Sequence, residues 1–298
     1  MVRDLYDTHR HSPPVARNAP PVAGNIAWAR HLLQRIEAPM RAFEANQAVL
    51  ATKPAKRIVG LYNRVARVLV SYEYLWYQAW TASIPKAKAG LQATLIIRHP
   101  ADKRLYVNLD QQILQLIREA KVMDRMGIEV PESARVVLLQ ESKLKSYYNS
   151  LSHVLREYGR ITKSVPPVCA PLLRGVLHDF ELKLRPGMVS LTWTSLNIDS
   201  YKAHLLAALQ RLEELVASVV DILNNRIEKN LKLIALAKMV SLPDDDVVTT
   251  DEFVSTQHET AREQAEFLRG KNLEVESAVE DLCNLVLSFP LDPHVKGP

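Results

Sequence analysis

The chain has 298 residues, of which 47% are hydrophobic and 24% charged, a balance that excludes both an intrinsically disordered chain and a membrane-embedded one. Only 9 glycines are present, which argues against a many-stranded β fold and against glycine-rich phosphate-binding loops. The net charge of +5 is spread along the chain and forms no basic stripe, so nucleic-acid binding is not indicated.

Cysteine usage and hydropathy both indicate a reducing, aqueous compartment. Cys169 and Cys283 lie far apart and outside any paired spacing, as expected of buried free thiols. No apolar run reaches the ~18 residues of a membrane span, and the N-terminal residues lack the apolar core of a secretory signal. We therefore expect a soluble intracellular protein without membrane contacts.

The N-terminal residues are rich in proline. Residues 1–23 carry two proline pairs and are predicted to be extended. Asn25 is predicted to cap a helix that begins at Ile26 and turns Trp28 to one face. Pro39 is expected to break or kink this helix, because proline lacks an amide donor and clashes with the preceding turn.

A long amphipathic helix is predicted between Pro54 and Pro85. Its apolar residues recur at alternating spacings of four and three, which indicates a heptad-like seam. The predicted seam consists of Leu61, Val65, Val68, Tyr72, Leu75 and Ala79. Aromatic residues crowd positions 72–80. Helix packing is favoured over base stacking as their role, because aromatic residues in apolar helices are usually core residues.

Two short runs predict the one β element of the chain. They cover 94–98 and 104–108 and would form a hairpin packed on helices, because a lone hairpin is marginally stable. Asp110 is then predicted to cap another helix, which Gly127 closes. The inward residues of that helix would be Ile113, Leu116, Ala120 and Met123.

The next helix is predicted to open at Pro131 and to end at the double proline of 166–167. Its inward seam would be Val137, Leu144, Tyr147, Leu151, Val154, Tyr158 and Ile161. A shorter helix containing Phe180 follows, and residues 186–188 are predicted to turn the chain.

The longest helix is predicted over 199–242. Its seam would be Tyr201, Leu205, Leu209, Leu212, Val216, Val219, Leu223, Ile227, Leu231 and Ile234. The consecutive spacings of four after Leu223 form a stutter, which locally unwinds a supercoil. At ~1.5 Å per residue this helix would be roughly 60 Å long, which favours an elongated protein. A last helix is predicted over 251–288, with Phe267, Val275, Val279, Leu282 and Val286 inward.

Together these elements predict an all-α fold. We expect an elongated array of antiparallel helical bundles with long helices and at most one small β-hairpin. The predicted organisation is an extended segment over 1–23, a first bundle over 24–165 with the hairpin near 94–108, and a second bundle over 166–298.

The motifs of catalysis and of cofactor binding are missing from the sequence. Neither a Walker loop nor a dinucleotide-binding glycine motif occurs, and neither a zinc-protease helix nor a paired-cysteine motif is present. The densest group of possible metal ligands, His178, Asp179 and Glu181, lacks a second ligand pair and is interpreted as a solvated helix face. We expect no catalytic residues, no cofactor and no metal, although a spatial triad leaves no sequence signature.

Four stretches, in order along the chain, resemble the N-terminal tail of dynein heavy chains. They are PPVAGNIAWAR at 20–30, RHP at 98–100 with LYVNLD at 105–110, REA at 118–120, and PGMVSLTWTSLNI at 186–198. Leu109 stands where the family commonly has phenylalanine. The patterns are similar to axonemal heavy chains, and the outer-arm chains are the nearest guess.

The resemblance implies a non-catalytic segment of a dynein stem, with the ATP-hydrolysing motor ring downstream in a longer chain. It implies as partners the dynein intermediate chains, light chains and other heavy chains, and indirectly the doublet microtubule, in the cytoplasm and the cytoskeleton of the cilium or flagellum axoneme. It implies no nucleic acid and no membrane. The motif residues expected to act as structural joints are Trp28, Arg98, His99, Pro100, Pro186, Gly187, Trp193 and Asn197.

Two other interpretations stay open on the residues alone. A generic helical adaptor or tether unrelated to motors would have the same seams. A helical enzyme with an active site assembled only in space would lack motifs as well.

Overall fold

The computed structural model describes residues 2–239 and 249–289 of the chain. It confirms the all-α prediction, with one small two-stranded sheet. The elements are α1 (Val2–His9), α2 (Pro21–Glu44), α3 (Gln47–Leu50), α4 (Lys53–Ala89), β1 (Ile96–Arg98), β2 (Leu105–Val107), α5 (Gln111–Arg125), α6 (Glu132–Leu139), α7 (Glu141–Ser164), α8 (Ala170–Val189), α9 (Ile198–Asp221), a π-helical segment (Ile222–Glu228), α10 (Lys229–Leu236) and α11 (Thr250–Ser288).

The described residues form two compact units. The first unit comprises 2–97, 107–148 and 191–195, and the second comprises 98–106, 149–190, 196–239 and 249–289. These units are not continuous in sequence, whereas the predicted division was into three continuous segments, 1–23, 24–165 and 166–298. The five residues 191–195 belong to the first unit although the residues on either side belong to the second.

Residues 2–9 form helix α1 and α2 begins at Pro21, so the prediction of an extended segment over 1–23 is wrong for these residues, whereas 10–20 are not helical. Helix α1 packs its apolar residues on a cluster formed by Trp28, Leu32 and Leu69. The ring of Tyr6 stacks on that of Trp28 with centroids 6.1 Å apart. This burial stabilises a helix that would be too short to persist alone.

Helix α2 begins one turn earlier than predicted, and Asn25 is not its cap. Pro20 is the N-cap residue and Pro21 starts the helix, a position that suits proline because its missing N–H would have no helical partner there. Pro39 lies inside α2, which continues to Glu44. Met40, directly after Pro39, is buried, and its packing offsets part of the cost of the proline.

The seam predicted for α4 is confirmed only in part, since Val65 and Tyr72 pack against the cluster of Trp28, Leu32 and Leu69. Leu61, Val68 and Leu75 are exposed, whereas the inward residues are Leu69, Trp80 and Ile84. Apolar residues occur all round this helix, so the spacing of four and three could not distinguish the buried face from the exposed one. Helix α4 also runs past Pro85 to Ala89.

The caps predicted for α5 are confirmed. The Asp110 carboxylate accepts a hydrogen bond from the Gln112 backbone N–H at 2.8 Å. Gly127 has a φ of +68°, the left-handed conformation that ends a helix. The four predicted inward residues of α5 are buried.

The helix predicted from Pro131 to 165 is two helices, α6 and α7, separated at Gln140. Pro131 is the N-cap of α6 and lies one position before the predicted first turn. All seven residues of the predicted seam are buried, which confirms the inward face despite the break.

Residues 186–188 do not turn the chain, because Pro186 and Gly187 lie inside α8. Gly187 is buried, so the end of α8 is held by packing, and the chain turns over 190–197. Proline and glycine weaken a helix locally, but burial of the surrounding side chains outweighs that cost here.

The longest predicted helix is found as α9, the π-helical segment and α10, which end at Leu236; positions 240–242 lie outside the described residues. The π-helical segment lies at the predicted stutter. A π-helix has more residues per turn than an α-helix, so it brings residues spaced by four, such as Leu223 and Ile227, to one face. The seam is buried through Ile227, but Leu231 is 47% exposed and Asn230 is buried in its place.

Helix α11 is found where a last helix was predicted. A capping box between Thr249 and Glu252 starts it. Leu282 and Val286 are buried as predicted, whereas Phe267 and Val279 are exposed. Its described partners are α8, α9, the π-helical segment and α10.

Candidate functional site

The motif residues at 20–30 are held by a buried carboxylate from the motif at 118–120. The Glu119 side chain, 1% exposed, accepts the backbone N–H groups of Val22 at 2.9 Å and of Ala23 at 2.8 Å. The first N–H groups of a helix have no helical acceptor, and a carboxylate also complements the positive end of the helix dipole. Burial raises the pKa of Glu119, and the two backbone N–H groups oppose that rise. We call Glu119 together with residues 22–30 of α2 the N-terminal junction.

Two further residues of the same motif fit the junction closely. A Cβ added at Gly24 would overlap Val15 Cγ1, so a side chain is excluded there unless Val15 moves. The Asn25 amide donates to the Pro21 carbonyl at 2.6 Å and accepts from the Tyr72 hydroxyl at 2.7 Å. Helix α4 is thereby tied to the start of α2.

Trp28, three residues after Asn25 on α2, contacts the same Tyr72. It is 9% exposed and packs edge-on against Tyr72, with ring centroids 5.7 Å apart. Tyr6 packs on both rings. Such aromatic clusters are typical of a packed helix crossing.

Arg30 closes the motif by bridging three elements. Its Nε and Nη2 donate to Glu73 Oε1 at 2.9 and 2.6 Å, and its Nη1 donates to the Met126 carbonyl at 2.8 Å. The guanidinium therefore links α2 to α4 and to the C-terminal end of α5. A lysine would not reproduce this geometry, because its ammonium group lacks the planar, widely spaced donors with which the guanidinium reaches both acceptors.

The motif at 186–198 contributes a second contact within the first unit, which we call the tryptophan junction. Trp193 is 3% exposed, and its Nε1 donates to the Asn108 carbonyl at 2.7 Å. The Leu95 N–H donates to the Leu191 carbonyl at 3.1 Å, and Thr94 pairs with Thr192 as an isolated antiparallel bridge. The segment 191–195 is thus bound along the residues that lead into β1.

Asn108 belongs to the motif at 105–110, so the junction joins two of the stretches that the resemblance identified. The Asn108 N–H donates to the Leu95 carbonyl at 2.8 Å, which leaves its own carbonyl for Trp193. A turn closed by Thr192 N–H and Ser195 Oγ, 3.0 Å apart, shapes the bound segment. The N–H groups of Leu95, Asn108 and Thr192 and the carbonyl of Asn108 thus all have hydrogen-bond partners, as buried backbone requires.

The residues Arg98, His99 and Pro100 lie at the hairpin tip, in the second unit. Arg98 Nη2 forms an ion pair with Glu181 Oε2 on α8 at 3.2 Å, and its Nη1 donates to the Lys103 carbonyl at 3.1 Å. The His99 ring packs edge-on against Tyr106 with centroids 6.0 Å apart. Pro100 lies in the turn itself.

Pro186, Gly187 and Asn197 lie elsewhere in the second unit. The Pro186 carbonyl accepts the Ser190 N–H at 3.0 Å where α8 ends. Asn197 is the N-cap residue of α9, but its side chain makes no capping bond. The Tyr201 hydroxyl donates to the Leu184 carbonyl at 3.0 Å, and burial raises the pKa of Tyr201 to about 12.

The eight predicted joint residues therefore do not form one site. Trp28 and Trp193 lie at separate junctions of the first unit, and the other six lie in the second unit. Sequence reasoning missed Glu119, whose signal was a carboxylate on the apolar face of α5, between Leu116 and Met123. Asn108 left no such signal, because its backbone carbonyl makes the contact.

The described part of the chain shows few features of a catalytic or metal-binding site. No three His, Cys, Asp or Glu side chains within 2–239 and 249–289 are grouped as metal ligands would be. Burial raises the pKa of the Cys169 thiol, which makes it a poor nucleophile. No helix in those ranges is apolar over a length that could cross a bilayer. What the junctions can do is hold helices and loops in fixed register.

Comparison with known proteins agrees with the resemblance that the four motifs indicated. Residues 1–201 match the family described as "Dynein heavy chain, N-terminal region 1". The chain is similar to "Dynein gamma chain, flagellar outer arm" of Chlamydomonas reinhardtii, with 47% identity over 97% of this chain and 6% of the relative. It is also similar to "Dynein axonemal heavy chain 5" of Mus musculus (36% identity, 98% of this chain) and to "Dynein axonemal heavy chain 8" of Homo sapiens (34%, 95%), again over 6% of each relative.

Proposed function

Because the chain belongs to the dynein heavy-chain family and matches its N-terminal region, we propose that it is a non-catalytic assembly segment of an axonemal dynein tail. The chain spans about 6% of the length of the relatives named above, so the activity of a whole heavy chain is not assigned to it. The names of those relatives are axonemal and flagellar, and the chain is accordingly a component of the cilium or flagellum axoneme. Family membership displaces the alternative of a generic helical adaptor.

The observation that carries the proposal is an apolar groove in the first unit. It lies between α1, α2 and α4 and has a volume of about 640 Å³. Its lining is Val2, Arg3, Asp4, Arg35, Ile36, Pro39, Met40, Phe43, Ile58, Leu61, Tyr62 and Val65. A groove of this kind fits the apolar face of a helix that supplies residues at spacings of three and four.

Exposed apolar residues lie along α4, and two of them, Ile58 and Leu61, line the groove. Ile58 and Leu61 are about half exposed and Leu75 is 63% exposed, on a helix whose other face is already packed. Contiguous exposed apolar surface on a soluble protein is typical of an interaction site. We infer that a helix of a dynein intermediate chain occupies the groove. Light chains and a neighbouring heavy chain would bind elsewhere on the segment and link it indirectly to the doublet microtubule.

A pull-down from ciliary extract tests the proposal. The tagged chain should capture dynein intermediate chains, and the double substitution Ile58→Glu and Leu61→Glu should reduce that capture more than tenfold, since each buried aliphatic side chain contributes about 1.5–3 kcal/mol. The matched control, Val168→Glu with Leu196→Glu, alters two exposed apolar residues of the second unit. Equal capture by wild type and by the groove variant would refute the groove as the docking surface.

The absence of catalysis is a separate prediction. The purified chain should not hydrolyse ATP in a coupled phosphate-release assay, because no phosphate-binding loop occurs in its sequence. Hydrolysis that copurifies with the chain through successive columns at constant specific activity would contradict the non-catalytic assignment.

A further inference from the structure

A second groove, lined by cations, lies wholly within the second unit. It has a volume of about 550 Å³ and is bounded by the hairpin tip, α7 and α8. Its lining is Arg98, Lys103, Arg104, Leu105, Leu155, Arg156, Tyr158, Gly159, Arg160, Thr162, Lys163 and Glu181. Six of these side chains are Lys or Arg and one is Glu, so the lining carries a formal charge of +5 (6 − 1). We call it the basic groove.

Some of these cations are already neutralised and help to shape the groove. Arg98 pairs with Glu181 at 3.2 Å and fixes the hairpin tip against α8. Arg160 pairs with Glu157 at 2.7 Å and also with Glu213. The Arg160 guanidinium, followed by that of Arg156, lowers the pKa of Glu157, so this carboxylate stays ionised at neutral pH.

Three other lining cations form no ion pair within the described ranges. One of them, Arg104, adds to the hydrogen bond from the Tyr106 hydroxyl in lowering the pKa of the neighbouring Asp102. Lys103 and Lys163 are exposed, and no ion pair involves either of them within 2–239 and 249–289. Lys103 lies in the hairpin turn, where its φ of +58° is left-handed, and it is exposed to solvent. An unpaired ammonium group at a concave surface attracts anionic groups, because the low-dielectric walls concentrate the field.

The floor of the groove is apolar and firmly held. Leu105 and Leu155 contribute aliphatic surface, and the Tyr158 ring stacks on Phe180 with centroids 4.8 Å apart. The Tyr158 hydroxyl lies 3.4 Å from Glu181, so the ring is fixed at both ends. An apolar floor with a cationic rim can hold an aliphatic side chain between carboxylates.

We propose that the basic groove binds an acidic peptide segment of a partner protein, with carboxylates beside Lys103 and Lys163 and one aliphatic side chain on Leu155. This inference rests on the proposed function, for which it supplies the chemistry of one partner. The segment's carboxylates would pair with Lys103 and Lys163, whereas a basic or neutral segment would leave both lysines unpaired.

The arrangement favours a peptide over a nucleic acid. Glu157, Glu181 and Glu213 are interleaved with the arginines, and they would repel a continuous chain of phosphates. A peptide can alternate charged and apolar residues to match that pattern. The groove also lacks the exposed aromatic platform on which single-stranded bases stack, because its lining aromatic residue, Tyr158, is 9% exposed and already stacked.

Fluorescence anisotropy with the whole chain tests the inference. The probe is a labelled synthetic peptide with one leucine flanked on both sides by glutamates, and the comparison probes are the same peptide with glutamine in place of glutamate and a single-stranded oligonucleotide of similar charge. We expect the glutamate peptide to bind most tightly and to weaken as salt is added. The variant Lys103→Glu with Lys163→Glu should weaken it about tenfold or more, because two attractions become repulsions.

The matched control reverses two exposed lysines of the first unit, Lys56→Glu with Lys88→Glu. These residues lie near opposite ends of α4, so their effects on the helix dipole oppose each other. The control should bind the glutamate peptide as wild type does. Equal binding of the glutamine peptide, tighter binding of the oligonucleotide, or equal losses in both lysine variants would each overturn the inference.

The same lysine variant in the ciliary pull-down separates this inference from the proposed function. If wild type captures dynein subunits but does not bind the glutamate peptide, the basic groove is wrong and the assembly role stands. If wild type binds the peptide but captures no dynein subunit, the assembly role fails and the basic groove remains an acidic-peptide site.

Discussion

Replacing Trp193 by phenylalanine measures how much the indole hydrogen bond contributes to the tryptophan junction. The Nε1–H group donates to the Asn108 carbonyl at 2.7 Å, and the ring is 3% exposed. Phenylalanine keeps most of the aromatic volume but leaves that carbonyl without its donor in a buried place. Leaving a buried acceptor unpaired costs about 1–3 kcal/mol, and the smaller ring adds a packing loss.

Trp80 supplies a matched control in the same unit. Its ring is 4% exposed, but its Nε1 has no hydrogen-bond partner among the described residues. Trp80→Phe therefore loses packing alone, and Trp193→Phe should be the more destabilising of the two by ~1–3 kcal/mol. Trp193→Ala removes the ring as well and should cost ~3–5 kcal/mol.

Urea unfolding followed by tryptophan fluorescence is the assay. All four tryptophans, at 28, 76, 80 and 193, lie in the first unit, so the signal reports the unfolding of that unit. Equal losses for Trp193→Phe and Trp80→Phe would show that the bond to Asn108 adds nothing. An unchanged midpoint for Trp193→Ala would refute the burial of the ring.

Three further substitutions test the N-terminal junction. Glu119→Gln removes a carboxyl whose folded pKa is raised by burial. Since folding then takes up a proton, the free energy of unfolding of wild type should fall relative to that of E119Q as the pH in urea titrations rises through the folded pKa, from about 4.3 upward. Gly24→Ala should lower the free energy of unfolding by ~1–3 kcal/mol, because the added Cβ overlaps Val15 Cγ1. Arg30→Lys should cost about 1–2 kcal/mol in the same titrations, because the bond to the Met126 carbonyl is lost.

Each of these predictions has its own control. Glu44→Gln, an exposed residue of α2 in the same unit, should leave the pH dependence unchanged, and an equal change there would count against Glu119. Val15→Ala should restore the stability of the Gly24→Ala variant, whereas Gly60→Ala, which meets no atom within 4 Å, should stabilise α4 by up to ~1 kcal/mol. A Gly24→Ala variant as stable as Gly60→Ala would refute the close approach. For Arg30, the exposed Arg64→Lys is the comparison, and equal losses would refute the bridge.

The inward faces of α7 and α9 could be predicted from the sequence because each helix carries one narrow apolar stripe. From Leu144 to Ile161 and from Tyr201 to Ile227 the predicted seam is buried, and the π-helical segment lies at the predicted stutter. Where apolar residues surround the helix, as in α4, periodicity cannot choose a face. There only the position of α2 decided that Leu69 is buried and Leu75 exposed.

Prolines show the limit of local rules most clearly. Pro39, Pro85 and Pro186 were expected to mark helix ends, a kink or a turn, yet the helix that contains each one continues past it. The cost of a missing amide donor is a few kcal/mol and is local, whereas the burial of neighbouring side chains depends on residues distant in the sequence. A rule based on local sequence counts the cost of the proline but not the stabilisation from the buried side chains around it.

The sequence by itself determined the all-helical class, the hairpin, the caps at Asp110 and Gly127 and, through four motifs, the family. Tertiary structure alone decided what those motifs do. It joined Glu119 to the backbone of Val22 and Ala23, and Trp193 to the carbonyl of Asn108, across 97, 96 and 85 positions of sequence. Such contacts involve backbone groups that every residue carries, so no residue pattern announces them. They exist only once the helices have been brought together.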